Sequence, residues 1–298
     1  METVGTKVET LTANVPNKKP YLVSDSLRKR LNVVDSILSE GANVNVLISG
    51  PKGCGKTELV TQYAATRGRP LATIQVGGLS EPKQLFGQMV LKDGATSYQP
   101  GLFIKAISTP NAVIHLEELN RPESDKALNA IFSVLDDSTR GIWLDELGVF
   151  IRVAEGVSFF ATLNEGYEYI GTMPLDVALA DRFAMKLTLG YLPHDDEVEL
   201  LRHKTPRLTE EQAEEIVTTC ERLRIEDKNN HGAFHDGSVS TRSMLYIGDY
   251  VARGLSFFEA FSSVVTSDKE YLERVLSTSH FAGRDVGYQE AEENYDLL

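Results

Sequence analysis

Short apolar runs and longer amphipathic stretches alternate along the first part of this chain. The runs at 44–49, 71–76, 112–116, 157–163 and 186–189 have strand length and are predicted to be buried strands. Leu27, Leu31, Val34, Ile37 and Leu38 form one stripe, with Ser24 or Asp25 placed to cap and Gly41 just beyond. That pattern predicts a helix over 26–39. Further helices are expected at 58–66, 101–107 and 124–136. Alternation of this kind predicts a parallel sheet covered by helices on both faces, an α/β fold. Between 138 and 153 two short strands flank Glu146-Leu147 and read as a β-hairpin, with Trp143 packed within it. After Leu192-Pro193 the strand-like runs stop, and 195–203, 209–223, 241–253 and 257–265 carry helical spacing. The expected organisation is an N-terminal arm (1–23), an α/β domain (24–192) and a small helical domain (193–298) whose end, from Gly283, is polar and acidic.

The turn after the first strand changes the picture. Gly50-Pro51-Lys52-Gly53-Cys54-Gly55-Lys56-Thr57 fits the phosphate-binding pattern G-x-x-x-x-G-K-[ST], and a predicted strand and helix flank it. Gly50, Gly53 and Gly55 let main-chain N–H groups approach phosphate oxygens, and the helix N-terminus adds its positive dipole end. Lys56 is expected at the β- and γ-phosphates and the Thr57 hydroxyl on Mg²⁺. The nucleotide-binding stretch is expected to run from Gly50 to Glu58. Downstream, the strand at 112–116 leads into Glu117-Glu118. Glu117 is expected on the metal side, and Glu118 as the group that orients and deprotonates the attacking water.

Residues 44–190 resemble the AAA+ ATPases of the MoxR branch, related to the CbbQ, NorQ and GvpN type. The matching residues, in order, are Leu85-Phe86-Gly87, Pro100-Gly101-Leu102-Phe103, Leu116-Glu117-Glu118-Leu119-Asn120-Arg121, Ala161-Thr162-Leu163-Asn164, Gly171-Thr172-Met173-Pro174-Leu175 and Ala178-Leu179-Ala180-Asp181-Arg182-Phe183. The resemblance implies a phosphate-loop αβα sandwich followed by a helical lid. It implies Asn164 as sensor 1 and Arg182 as an arginine finger that acts on the ATP of a neighbouring subunit. Arg242, in Ser240-Thr241-Arg242, would be the sensor 2 arginine of the lid. It also implies ATP and Mg²⁺ as cofactors, a homo-oligomeric ring, most simply a hexamer, and a protein client or adaptor. The hairpin at 140–153 and the segment 89–98 would face the pore or the partner. Glu117 stands where the family has aspartate.

Composition narrows the alternatives. A net charge of −13 argues against a surface built throughout for nucleic acid, although Lys18, Lys19, Arg28, Lys29 and Arg30 make one basic cluster. No apolar run reaches the roughly 20 residues of a membrane helix, and 1–17 lacks the apolar segment of a secretion signal. Cys54 and Cys220 are the two cysteines, which reads as a reducing, cytoplasmic setting. His231 and His235 have i,i+4 spacing but no further ligands for a zinc site. The leading expectation is an ATPase that remodels a protein partner. The rivals are a nucleic-acid motor, with ATP or GTP as fuel, and a slow nucleotide-gated scaffold.

Overall fold

A computed structural model of the chain describes residues 11, 14–79, 81, 83–92, 94–120, 125–164, 175–229 and 239–265. Of the sequence expectations, Arg121, the segment 171–174, the His231 and His235 pair and the tail from Gly283 lie outside these residues. In chain order the elements are α1 (Asp25–Ser39), β1 (Asn45–Gly50), α2 (Lys56–Thr66), β2 (Leu71–Gln75), α3 (Lys83–Phe86), β3 (Gly87–Lys92), β4 (Ala95–Pro100), α4 (Leu102–Ile107), β5 (Val113–Glu117), α5 (Asp125–Leu135), β6 (Gly141–Leu144), β7 (Val149–Arg152), β8 (Ser158–Asn164), α6 (Val177–Asp181), β9 (Met185–Thr188), α7 (His194–Lys204), α8 (Glu210–Asn229), α9 (Thr241–Ala252) and α10 (Phe257–Val264). They fall into two compact units, one of Met1–Gly50 with Gly55–Leu189, the other of Pro51–Cys54 with Gly190–Leu298.

The first unit is built on a five-stranded sheet in the order β2-β5-β8-β1-β9. Every pairing in it is parallel. Strands in such a sheet are covered on both faces, so the strongly apolar runs of β1 and β8 are what it requires. Two neighbours on β8 show both faces at once. Phe159 packs towards Phe103 of α4 at a centroid distance of 6.4 Å, while Phe160 meets Tyr63 of α2 at 4.7 Å. Successive strand residues point to opposite sides. The helices bearing those rings therefore lie on opposite faces, and the unit is an αβα sandwich.

Two antiparallel hairpins interrupt the alternation, β3–β4 and β6–β7. The first takes up the segment 89–98, which had no strand expectation. Its signal was present as Asp93-Gly94, a hairpin dipeptide beside the alternating Met89 and Leu91. In the second, Trp143 stands opposite Phe150. Trp143 is 54% exposed, so it is not packed inside the hairpin as expected; its register partner Phe150 is 41% exposed as well. At the hairpin's base Arg140 is buried, with Nη1 donating to Asn45 Oδ1 (2.9 Å) and Nη2 to the Val157 carbonyl (3.1 Å).

In the second unit α7, α8, α9 and α10 enclose a core that includes Leu201, Ile216, Leu223, Met244, Ile247 and Phe261. α8 runs past the expected end at 223 as far as Asn229. The extension carries Arg224, whose Nη1 meets the fully buried Glu197 at 2.6 Å. Thr241 donates to Glu197 Oε1 (2.6 Å), and Arg224 Nε donates to the Val239 carbonyl (2.7 Å). Burying a charge is costly unless it is paired and hydrogen-bonded, and here each partner of the pair has further contacts.

Candidate active site

The carboxyl ends of β1, β5 and β8 lie at one edge of the parallel sheet, because Gly50 pairs with Asn164 and Leu116 with Ala161 in register. That edge is where open α/β sheets bind ligands. The chain leaves β1 through Gly50 (φ +153°), Gly53 (φ +69°) and Gly55 (φ +95°) and enters α2. Two of these angles are in the left-handed region, which explains glycine at 53 and 55. Helix α2 has no side-chain cap, and its first-turn N–H groups have no intrahelical acceptor. Lys56 is buried, with Nζ donating to the Gly50 carbonyl at 2.8 Å. From the arm, Tyr21 donates its hydroxyl to the Gly55 carbonyl (3.1 Å). Cys54 is a free, partly exposed thiol.

The two carboxylates at the end of β5 have different surroundings. Glu117 Oε1 accepts from the Thr57 hydroxyl at 2.5 Å, and Oε2 accepts from the Gln75 side-chain amide. Gln75 ends β2 and is the register partner of Glu117. A hydroxyl and a carboxylate oxygen side by side form an all-oxygen donor pair. Such a pair fits Mg²⁺, which takes one or two carboxylates together with phosphate oxygens and water.

Glu118 turns the other way. It has φ +55°, a left-handed conformation that few non-glycine residues adopt. Its Oε1 accepts from Asn164 Nδ2 at 3.0 Å. Strain of this kind is a reason to look for function at the residue that bears it. Behind the pair, His115 is fully buried with Nε2 3.1 Å from Thr162 Oγ1. Burial pushes its pKa down to about 4 against a smaller opposing pull from Glu117, so the imidazole is neutral near pH 7.

Arg182 is not part of this cluster and lies at the other end of β1. Its carbonyl accepts from Asn45 Nδ2 (2.8 Å), and Asn45 and Gly50 are separated by about 16 Å of strand. Its guanidinium donates to the Ala178 carbonyl (2.7 Å), sits 3.6 Å from Asp136 Oδ2 and lies 4.7 Å from the Phe132 ring centroid. Arg242 is in the second unit, at the start of α9. Within that unit the Lys52 carbonyl accepts from Tyr191 (3.3 Å), and a Cβ built on Gly53 would meet Ser240 at 2.5 Å and the Arg242 Cβ at 3.5 Å. Sequence reasoning brought forward Lys56, Thr57, Glu117, Glu118 and Asn164, which the fold gathers at the edge. It passed over Gln75 and Tyr21, because a polar residue at a strand end and a tyrosine in an arm carry no local pattern.

Three comparisons bear on this arrangement. The family described as "AAA domain (dynein-related subfamily)" matches residues 45–183. The "Putative chaperone BssE" of Thauera aromatica is 47% identical over 271 residues, covering 90% of this chain and 91% of that protein. An uncharacterized protein of Staphylococcus aureus is 27% identical over 216 residues, covering 70% of this chain and 78% of its own length. Among solved structures, the RuvB Holliday junction branch migration motor of Thermotoga maritima aligns with a TM-score of 0.54 at 14% identity, over 89% of this chain and 73% of that one. A likeness at that identity supports the fold alone. With its matched domain and a relative so similar along nearly the whole length, the chain belongs to the AAA+ ATPases of the MoxR branch.

Proposed function

We propose that this protein is a Mg²⁺-dependent ATPase that works as a ring, most simply a hexamer, and couples hydrolysis to remodelling of a protein partner. The observation that carries the reading is the division of labour between adjacent carboxylates. Glu117 sits on Thr57 at the loop, and Glu118 sits on Asn164. The loop N–H groups, the α2 N-terminus and Lys56 would bind the phosphates. Thr57 and Glu117 would hold Mg²⁺, which supplies charge neutralisation at the β- and γ-phosphates. Glu118 would take the proton of the attacking water while Asn164 fixes its carboxylate, and the water would attack the γ-phosphorus in line with the leaving oxygen.

Arg182 supports a shared site. Its position across the sheet from Gly50 and its contacts with Ala178 and Asp136 keep it away from its own loop. It would reach a nucleotide only in a neighbouring copy. A finger of this kind is typically worth about 10³–10⁵ in rate. Arg242 would read the nucleotide from the helical lid. The chaperone name of the Thauera aromatica relative supports a protein client, and the net charge of −13 weighs against nucleic acid. On this reading the protein would work in the cytoplasm, with a domain boundary near 192.

The test is steady-state hydrolysis of ATP and GTP with Mg²⁺, for wild type and Arg182→Ala, across protein concentration. Specific activity rising with concentration, and lost in Arg182→Ala, is the expected result. A wild type inactive at every concentration with either nucleotide, even with a client added, would overturn turnover and leave a nucleotide-gated scaffold.

A further inference from the structure

The contact between Glu118 and Asn164 raises the question of what holds those two side chains together. Asn164 is the last residue of β8, and Glu118 is the first residue beyond β5. The β5–β8 ladder itself stops at Leu116 and Ala161. Beyond it, two donors keep the segment after β5 attached to the end of β8. The Leu119 N–H donates to the Thr162 carbonyl at 3.0 Å, and Asn120 Nδ2 donates to the Asn164 carbonyl at 3.0 Å. Between them they fix the course of the chain after Glu118, which is at φ +55°.

We propose that Asn120 is a positioning residue for the hydrolytic step, clamping the Asn164 backbone so that the Asn164 amide meets the Glu118 carboxylate. This rests on the reading of Glu118 as water activator. The chemistry fixes the orientation of the Asn120 amide. A backbone carbonyl only accepts, so the nitrogen must face Asn164 and the oxygen must face away. That oxygen is buried and has no hydrogen-bond partner among the described residues. A buried acceptor left unpaired is unfavourable, and the asparagine bears that cost while its nitrogen pairs the Asn164 carbonyl. What its donor contributes is the position of Asn164, and through Asn164 that of Glu118. Asn120 touches neither carboxylate nor, in this role, the nucleotide.

The test compares wild type, Asn120→Ala, Asn120→Asp, Asn164→Ala, Glu118→Gln and the double variant Asn120→Ala/Asn164→Ala. Turnover and KM for ATP are measured at assembling concentration, together with the Kd for a fluorescent ATP analogue. Asn120→Asp keeps the shape without the donor and guards against a folding failure in the alanine variant. Misplacement of a reacting group by about 1 Å can cost up to ~10²-fold. The expected result is a 10- to 100-fold fall in kcat for both Asn120 variants, on that estimate, with KM and Kd within about twofold. The double variant should be no slower than Asn164→Ala alone, because Asn120 acts through Asn164. Turnover of the Asn120 variants close to wild type, losses that multiply in the double variant, or a parallel loss of nucleotide affinity would each overturn the proposal. If Glu118→Gln hydrolyses ATP as fast as wild type, the assignment of Glu118 fails and the role of Asn120 fails with it. That outcome is distinct from an unaffected Asn120 variant beside an inactive Glu118→Gln.

Discussion

Glu117 and Glu118 are chemically identical and adjacent, and the structure separates them through backbone angle and neighbours. Glu117 ends a strand and faces Thr57 and Gln75; Glu118, at φ +55°, faces Asn164. Substituting each tests a different property. Glu118→Gln should bind ATP and keep it, with turnover lower by about 10²–10⁴-fold, the usual worth of a general base. Nucleotide retained after gel filtration is the readout. Glu117→Asp shortens the side chain by about 1.5 Å, one carbon–carbon bond. It should loosen the contacts with Thr57 and Gln75, so a Mg²⁺ titration of activity should move to higher concentration. Lys56→Ala should lose nucleotide binding itself.

The helices of the second unit hold together partly through charge, and two of those contacts respond to different conditions. His194 opens α7, and its ring nitrogens lie 2.8 Å from Glu214 and 2.9 Å from Glu221 on α8. Both carboxylates, Glu214 first, raise its pKa above the ordinary 6.5. A raised histidine pKa means the stabilisation is fully present below the unfolded value and is lost as pH rises through the folded one. The urea midpoint should therefore fall modestly as pH rises above the ordinary histidine value of 6.5, and His194→Gln should flatten that trend. The effect is small because the cluster is partly exposed, His194 at 32% and Glu214 at 49%, and so screened by solvent. The Glu197–Arg224 pair is different, being buried at 0% and 10% side-chain exposure. Removing one partner, as in Arg224→Met, should cost about 3–5 kcal/mol through the uncompensated charge. Chemical denaturation of the full chain measures it.

At the scale of the molecule the prediction concerns completeness. The loop, Glu118 and Asn164 come from one edge of the sheet, while Arg182 is anchored to the opposite end of β1 through Asn45. A mixture of Arg182→Ala and Glu118→Gln chains, each nearly inactive alone, should regain activity. A mixed pair of neighbours can place an intact Glu118 of one chain opposite an intact Arg182 of the other. No recovery on mixing would place the finger in its own subunit. Saturating nucleotide should also raise unfolding stability, by about 2.7 kcal/mol at a hundredfold excess over Kd, in a thermal or urea titration.

Much of the fold was legible because its signals are local. Buried parallel strands must be apolar runs, and a phosphate loop must carry glycines at 53 and 55 where φ is positive, so both can be read from neighbouring residues alone. Glu117, Glu118 and Asn164 could be singled out in advance because they lie at or just beyond strand ends within an ordered family pattern, from which Glu117 departs by one methylene. The β3–β4 hairpin was missed despite its Asp93-Gly94 signal, and the exposure of Trp143 was misjudged, because strand pairing and facing depend on partners beyond a local window. Only the tertiary structure could show that Gln75 holds Glu117, that Asn120 holds Asn164 and that Asn45 joins Arg182 to Arg140. Those contacts join residues separated by 42, 44, 137 and 95 positions. The sequence determined which chemical groups the chain carries and where its strands turn; the stacking of β2, β5, β8 and β1 in parallel register decided which groups meet, because that register alone brings distant strand ends to one edge.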